Sequence, residues 1–160
     1  MSHPTLGLPP RSLHSGFPEA AARLHAGRAS LGVRALEIAV DGDPTIRDRY
    51  DDLGLRTLLR DTEALVERLA MCVAGNDAHW LKEFADQSAT IYRRRRVPMD
   101  DVISLTEGLR AAVRGQLGAE ELVIADAALD EAVKVYRWYR RLAGDARKRN
   151  RILAAIYKGA

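Results

Sequence analysis

Leu55-Arg56-Thr57-Leu58-Leu59-Arg60-Asp61-Thr62-Glu63-Ala64-Leu65-Val66-Glu67-Arg68-Leu69-Ala70-Met71-Cys72-Val73 is the stretch that decides the fold class. Leu55, Leu58, Leu59, Thr62, Leu65, Val66, Leu69, Cys72 and Val73 recur at spacings of three and four. At about 100° per residue they cover one face of a helix. Gly75-Asn76 stops this helix, and Asn76 or Asp77 is placed to cap the next one. That next helix puts Trp80, Leu81, Phe84, Ser88, Ile91 and Tyr92 on one side. It runs into Arg93–Arg96 and is broken by Pro98. Four cations at a helix C-terminus complement its dipole, so a solvated helix end accounts for them.

The same reading extends in both directions. Met99–Leu117 is expected to be helical, opened by Asp100-Asp101, facing inward through Val102, Thr106, Leu109, Val113 and Gln116, and closed by Gly118. Glu120–Ala143 follows, with Gly144-Asp145 as a possible break before Ala146–Lys158. Upstream, Glu19–Val40 has helical spacing, weakened by Gly27 and Gly32. Asp43 is placed as a cap for a short turn to Tyr50. Residues 1–18 hold four of the six prolines and are expected to form a mobile arm. No period-2 strand pattern of useful length occurs. The expectation is an all-α single domain over residues 19–160, with five to seven helices, the last long and basic.

With 160 residues, 47% of them hydrophobic, the chain is long enough to bury one substantial core. Aromatics make up 6%, so Leu, Val, Ile and Ala must build that core. No run approaches the roughly 20 apolar residues of a membrane span, and no positive-then-apolar leader is visible. The one cysteine, Cys72, has no internal disulfide partner and reads as a small buried hydrophobe. A cytoplasmic protein is the expectation.

The residues of familiar catalytic motifs are missing. There is no G-x-x-x-x-G-K-[ST], G-x-G-x-x-G or G-x-S-x-G. His3, His14 and His25 lie in or near the N-terminal region, and His79 lies at a helix start, so no haem ligand is expected. The i,i+4 acid pairs Glu63/Glu67 and Asp126/Asp130 have no histidine beside them and read as solvated faces. No catalytic residue and no metal site is assigned. A non-enzymatic binding protein is the expectation.

Charge is unevenly distributed about a net +3. Lys134–Lys158 carries nine Lys/Arg and one acid, a local +8, whereas Ala29–Val133 carries 13 basic and 20 acidic residues, a local −7. If the last helix is continuous, Lys134, Arg137, Arg140, Arg141, Arg147, Lys148, Arg151 and Lys158 share about 120° of arc beside Tyr136, Tyr139 and Ala143. Arg137, Arg140, Arg141, Lys148 and Arg151 are the candidate partner-binding residues. The partners this charge suits are an acidic protein, including the body of a second copy in a homodimer, and less well an anionic membrane surface or nucleic acid.

From Arg56 to Leu117 the chain resembles the non-haem globin superfamily. The matching features are Leu58-Leu59-Arg60-Asp61, Gly75-Asn76-Asp77, Tyr92–Pro98 and Leu109-Arg110-Ala111-Ala112-Val113. One branch of the resemblance is the phycobilisome group with its bilin-biosynthesis-associated globins. The other is the sensor globins of bacterial stressosome regulators. The first branch implies a linear tetrapyrrole (bilin) held by the chain. Its attachment cysteine corresponds to Leu58, so the bilin would be held non-covalently. Asp61 would accept hydrogen bonds from pyrrole N–H groups and Arg60 would pair with a propionate. The second branch implies a ligand-free or small-ligand dimeric signalling module. Asp61 sits at the edge of the apolar stripe without a basic neighbour on its own helix. Either a ligand or a side chain from another helix, such as one of Arg93–Arg96, can satisfy it. Trp80 and Tyr92, with Phe84, Tyr136 and Tyr139, either line a flat cofactor pocket or pack in the core.

Overall fold

A computed structural model of the chain describes residues 16–149, with side chains as far as Ala143. Among the described residues there are seven helices and no strand. They are α1 (Pro18–Ala26), α2 (Arg28–Gly42), α3 (Thr45–Arg49), α4 (Asp52–Gly75), α5 (His79–Arg95), α6 (Met99–Val113) and α7 (Ala119–Arg149).

Helix α4 is the element around which the others gather. Asp51 caps it, its carboxylate accepting from the Gly54 N–H at 2.7 Å. Asn76 ends it in the left-handed conformation at φ 49°. Its stripe Leu58, Thr62, Leu65, Val66, Leu69, Cys72 and Val73 is buried, as the spacing predicts. Leu55 and Leu59, read as part of that stripe, are only half-buried, because they face the α2 side where coverage is incomplete. Ahead of α5, whose N-cap position is Ala78, the Asp77 carboxylate accepts from the His79 N–H at 2.9 Å.

Helices α1 and α2 pack on α4, and α2 also lies along α6. Small residues set that contact. A Cβ built on Gly108 would sit 2.4 Å from the Ala35 carbonyl oxygen. Only glycine allows α6 to approach α2 so closely. Helix α7 covers α4, α5 and α6 through Ala125, Ala128, Leu129, Ala132, Val133 and Tyr136. Helices α6 and α7 are antiparallel. Arg110 reaches Asp126 and Asp130 at one end, and Arg140 reaches Asp100 at the other.

Several boundaries differ from the sequence expectation. The helix expected over Glu19–Val40 is two, parted at Gly27. Phe17 and Pro18, placed in the mobile arm, belong to the fold: Pro18 occupies the first turn of α1 and the Phe17 N–H donates to the Val73 carbonyl at 2.8 Å. Residues 1–15 lie outside the described residues. Helix α6 stops at Val113 rather than Leu117, and Gln116 is exposed rather than inward. Gly144-Asp145 does not interrupt α7, whose backbone stays helical to Arg149. No described helix is long and apolar enough to cross a membrane.

Candidate functional site

The sequence places its candidate binding residues along α4 and α5, and the structure gathers three of them around one arginine. Arg95, in the last turn of α5, donates to the Asp61 carboxylate at 2.8 Å. Its guanidinium lies 5.8 Å from the centre of the Tyr92 ring. Arg95 and Leu58 also line a cleft of about 270 Å³ with Tyr50, Asp51, Leu53, Gly54, Thr57 and Val97. Clefts that enclose drug-sized ligands begin at about 300 Å³. Leu58 itself is buried. Asp61 is thus satisfied by a side chain from the next helix.

The other two candidates are not part of this group. Arg60 is exposed. Trp80 is 41% exposed at the start of α5 and borders a shallow surface dent with Arg68, Glu83, Phe84 and Gln87. The apolar face of α5 is rotated from the expected one. Leu81, Ala85, Ser88, Ala89 and Tyr92 are buried, while Trp80 and Ile91 lie outside. Small alanines pack closer to α7 than a tryptophan would, which turns the helix this way.

Tyr92 and Tyr136 take the core alternative. Their rings meet edge-to-face with centres 6.4 Å apart. The Tyr136 and Ser88 hydroxyls hydrogen-bond at 3.0 Å inside the α5–α7 contact. Burial pushes both phenols well above the usual tyrosine range. Cys72 is fully buried, and burial raises its thiol to about 11. His79 stands at the surface, 3.5 Å from Glu83. Among the described residues no group of three His, Cys, Asp or Glu is placed to hold a metal.

Two polar centres were not legible as such in the sequence. The first is Asp101, 2% exposed at the start of α6. Arg49 grips it through two nitrogens, at 2.6 and 3.1 Å, and the Tyr50 hydroxyl donates to it at 2.6 Å. Arg49 also reaches Asp43 at 2.8 Å and Thr45. The hydrogen bonds it donates to Asp101 and then to Asp43 hold the Arg49 guanidinium firmly protonated. With three donors on its two oxygens, Asp101 ties α3 to α6. The sequence reading places it in the acidic pair that opens the helix. Its shared face with Leu105 and Gly108 was the available signal that it points inward. The second centre is Arg110, which joins Glu107 (2.8 Å), Asp126 (2.9 Å) and Asp130 (2.7 Å). The acid pair read as a solvated face therefore clasps α6 to α7.

The outer face of α7 is different in kind. Lys134 pairs with Glu131 and Arg140 with Asp100, each at 2.6 Å. Arg137 and Arg141 are exposed and have no partner among the described residues. Between and beside them stand Trp138, 48% exposed, and Leu142, 39% exposed. Trp138 is held edge-on to Tyr139, ring centres 4.9 Å apart. The side chains of Lys148 and Arg151, the remaining partner-binding candidates, lie outside the described residues. No known protein-family model, curated protein or solved structure matches the chain.

Proposed function

We propose that the chain is a non-catalytic helical interaction module that docks an acidic surface of another protein on the outer face of α7. The observation that carries this reading is the group Arg137, Trp138, Arg141 and Leu142. It combines two exposed cations that have no partner among the described residues with an exposed, braced tryptophan and an aliphatic neighbour. Tryptophan and arginine are the side chains that concentrate binding energy in protein interfaces. Guanidiniums select carboxylates. Nucleic acid is less well served, since Lys134 and Arg140 on the same stripe are neutralised by Glu131 and Asp100. A dimeric sensor globin without pigment is the branch of the resemblance that fits this reading. The bilin reading needs Arg60 and Asp61 turned toward one ligand. Asp61 is instead engaged with Arg95, and Arg60 stands in solvent.

The test is a photo-crosslinking residue placed at position 138 of the full-length protein in its own cells. Discrete protein adducts are expected, and they should vanish when Arg137→Glu and Arg141→Glu are combined. Adducts no richer than those from position 123, at the far end of α7, would overturn the reading. So would adducts to nucleic acid.

A further inference from the structure

A second face of the molecule is open and belongs to no partner so far described. Val33, Leu36 and Val40 on α2 face Leu55 and Leu59 on α4 across a groove of about 420 Å³. These five aliphatics repeat at helical spacing on both walls. None is fully buried, and Val33 is 43% exposed. Glu37, Asp41 and Arg47 stand along the groove. Asp41 and Arg47 on its lining belong to residues 41–52, a segment with five acids (Asp41, Asp43, Asp48, Asp51, Asp52) and two arginines. An apolar groove beside an acidic segment suits an amphipathic basic helix.

The chain itself carries such a sequence. Residues 147–158 hold five Lys/Arg and no acid. Ile152, Leu153, Ile156 and Tyr157 recur at i, i+1, i+4 and i+5, the spacing of one apolar helix face. We propose that the groove between α2 and α4 receives residues 147–158 of a second copy of this chain.

Exchange between copies follows from reach. Helix α7 packs on α4, α5 and α6, whereas the groove is on the α2 side of α4. The Arg140–Asp100 pair fixes α7 against the start of α6. The nine residues from there to Arg149 carry its backbone about 13 Å further along its axis. Returning to the groove of the same molecule means reversing direction and crossing at least one helix layer of about 8–10 Å. The four residue steps from Arg149 to Leu153 span at most about 14 Å. A neighbouring copy imposes no such turn. Two copies related by a twofold axis satisfy both grooves at once and close the assembly. The −3 segment 41–52 and the +5 segment 147–158 attract in that arrangement, so the contact weakens with salt.

This proposal rests on the groove and the 147–158 segment alone, independently of the α7 face assigned above. Sedimentation velocity on the full chain at several concentrations tests it. A dimer is expected. Val33→Glu, at an exposed groove position, and Ile156→Glu, in the segment, should each weaken it about tenfold or more. Mixing the two variants should restore part of the association, because one intact groove then meets one intact segment. A monomer at every concentration would overturn the proposal, as would a dimer indifferent to both substitutions. Trp138→Ala should leave the dimer intact. A dimer that Trp138→Ala dissolves while Val33→Glu does not would assign self-association to the α7 face and remove it from the groove.

Discussion

Asp61 and Asp101 both look like acids on the edge of an apolar helix face, yet they differ in how much the fold depends on them. Asp101 is almost wholly enclosed and takes three donors, whereas the Asp61 side chain keeps 20% of its exposure and its partner Arg95 keeps 40%. Removing one partner of an enclosed pair strands the others, while an exposed pair returns to water. Asp101→Asn should therefore cost about 2–3 kcal/mol in urea unfolding, somewhat less than a fully enclosed pair because Arg49 is partly wet. Asp61→Asn should cost less than about 1 kcal/mol. Equal costs would contradict the assignment of Asp101 as the brace. Cys72 supplies a pH signature. Its thiol rises from 9.0 to about 11 on folding, burial being the main cause. A group whose pKa is raised in the folded state stabilises fully below its unfolded value and loses that contribution as pH climbs through the folded one. Stability should therefore decline between about pH 9 and 11 as the unfolded thiol ionises, with the buried Tyr92 and Tyr136 adding to the decline from about pH 10 upward, where unfolded tyrosines ionise. In Cys72→Ala the part of the slope starting near pH 9 should flatten. The same burial should make the native thiol unreactive toward a disulfide reagent at pH 8 and reactive once urea unfolds the chain.

The helix contacts turn on glycine in two opposite ways. Gly108 lets α6 touch the α2 backbone at Ala35. Gly108→Ala should cost about 2 kcal/mol or more, because the added carbon meets a main-chain carbonyl that cannot turn aside. Gly75, in the last turn of α4, has nothing within 4 Å of a built Cβ. Gly75→Ala should raise stability by about 0.5–1 kcal/mol, through the entropy of the unfolded chain. A thermal melt of the two variants separates these signs. The long apolar repeat of α4 and the stops at Gly75-Asn76 and Pro98 were legible because they are set by local spacing and backbone chemistry. The rotation of α5 was not. Trp80 has the larger apolar surface, but Ala85 and Ala89 win the buried face because α7 approaches closely there. The link from Asp101 to Arg49 and Tyr50 joins residues 52 and 51 positions apart, and helical periodicity says nothing about such distances. The pairing of Asp61 with one of Arg93–Arg96 was foreseen as one of two alternatives, since an acid without a partner on its own helix must find one elsewhere.

Ion pairs tie the helices of the bundle to one another, and the α7 face and the α2–α4 groove are the two surfaces proposed for partners. Its polar centres at Asp101, Arg110 and Asp61 each join one helix to another. Both proposed contacts bring cations to carboxylates. Raising salt toward molar concentration, where the screening length falls to about 3 Å, should weaken both. We propose that Leu58, Asp61 and Tyr92, three of the five residues nominated for a tetrapyrrole, serve the fold instead. A visible absorption titration of the purified full chain with biliverdin, with haemin alongside, tests it most directly. The account predicts no saturable, red-shifted band for either, in the parent chain and in Asp61→Asn alike. A saturable biliverdin band of submicromolar affinity that Asp61→Asn abolishes would contradict it, and would return Arg60 and Asp61 to a binding site.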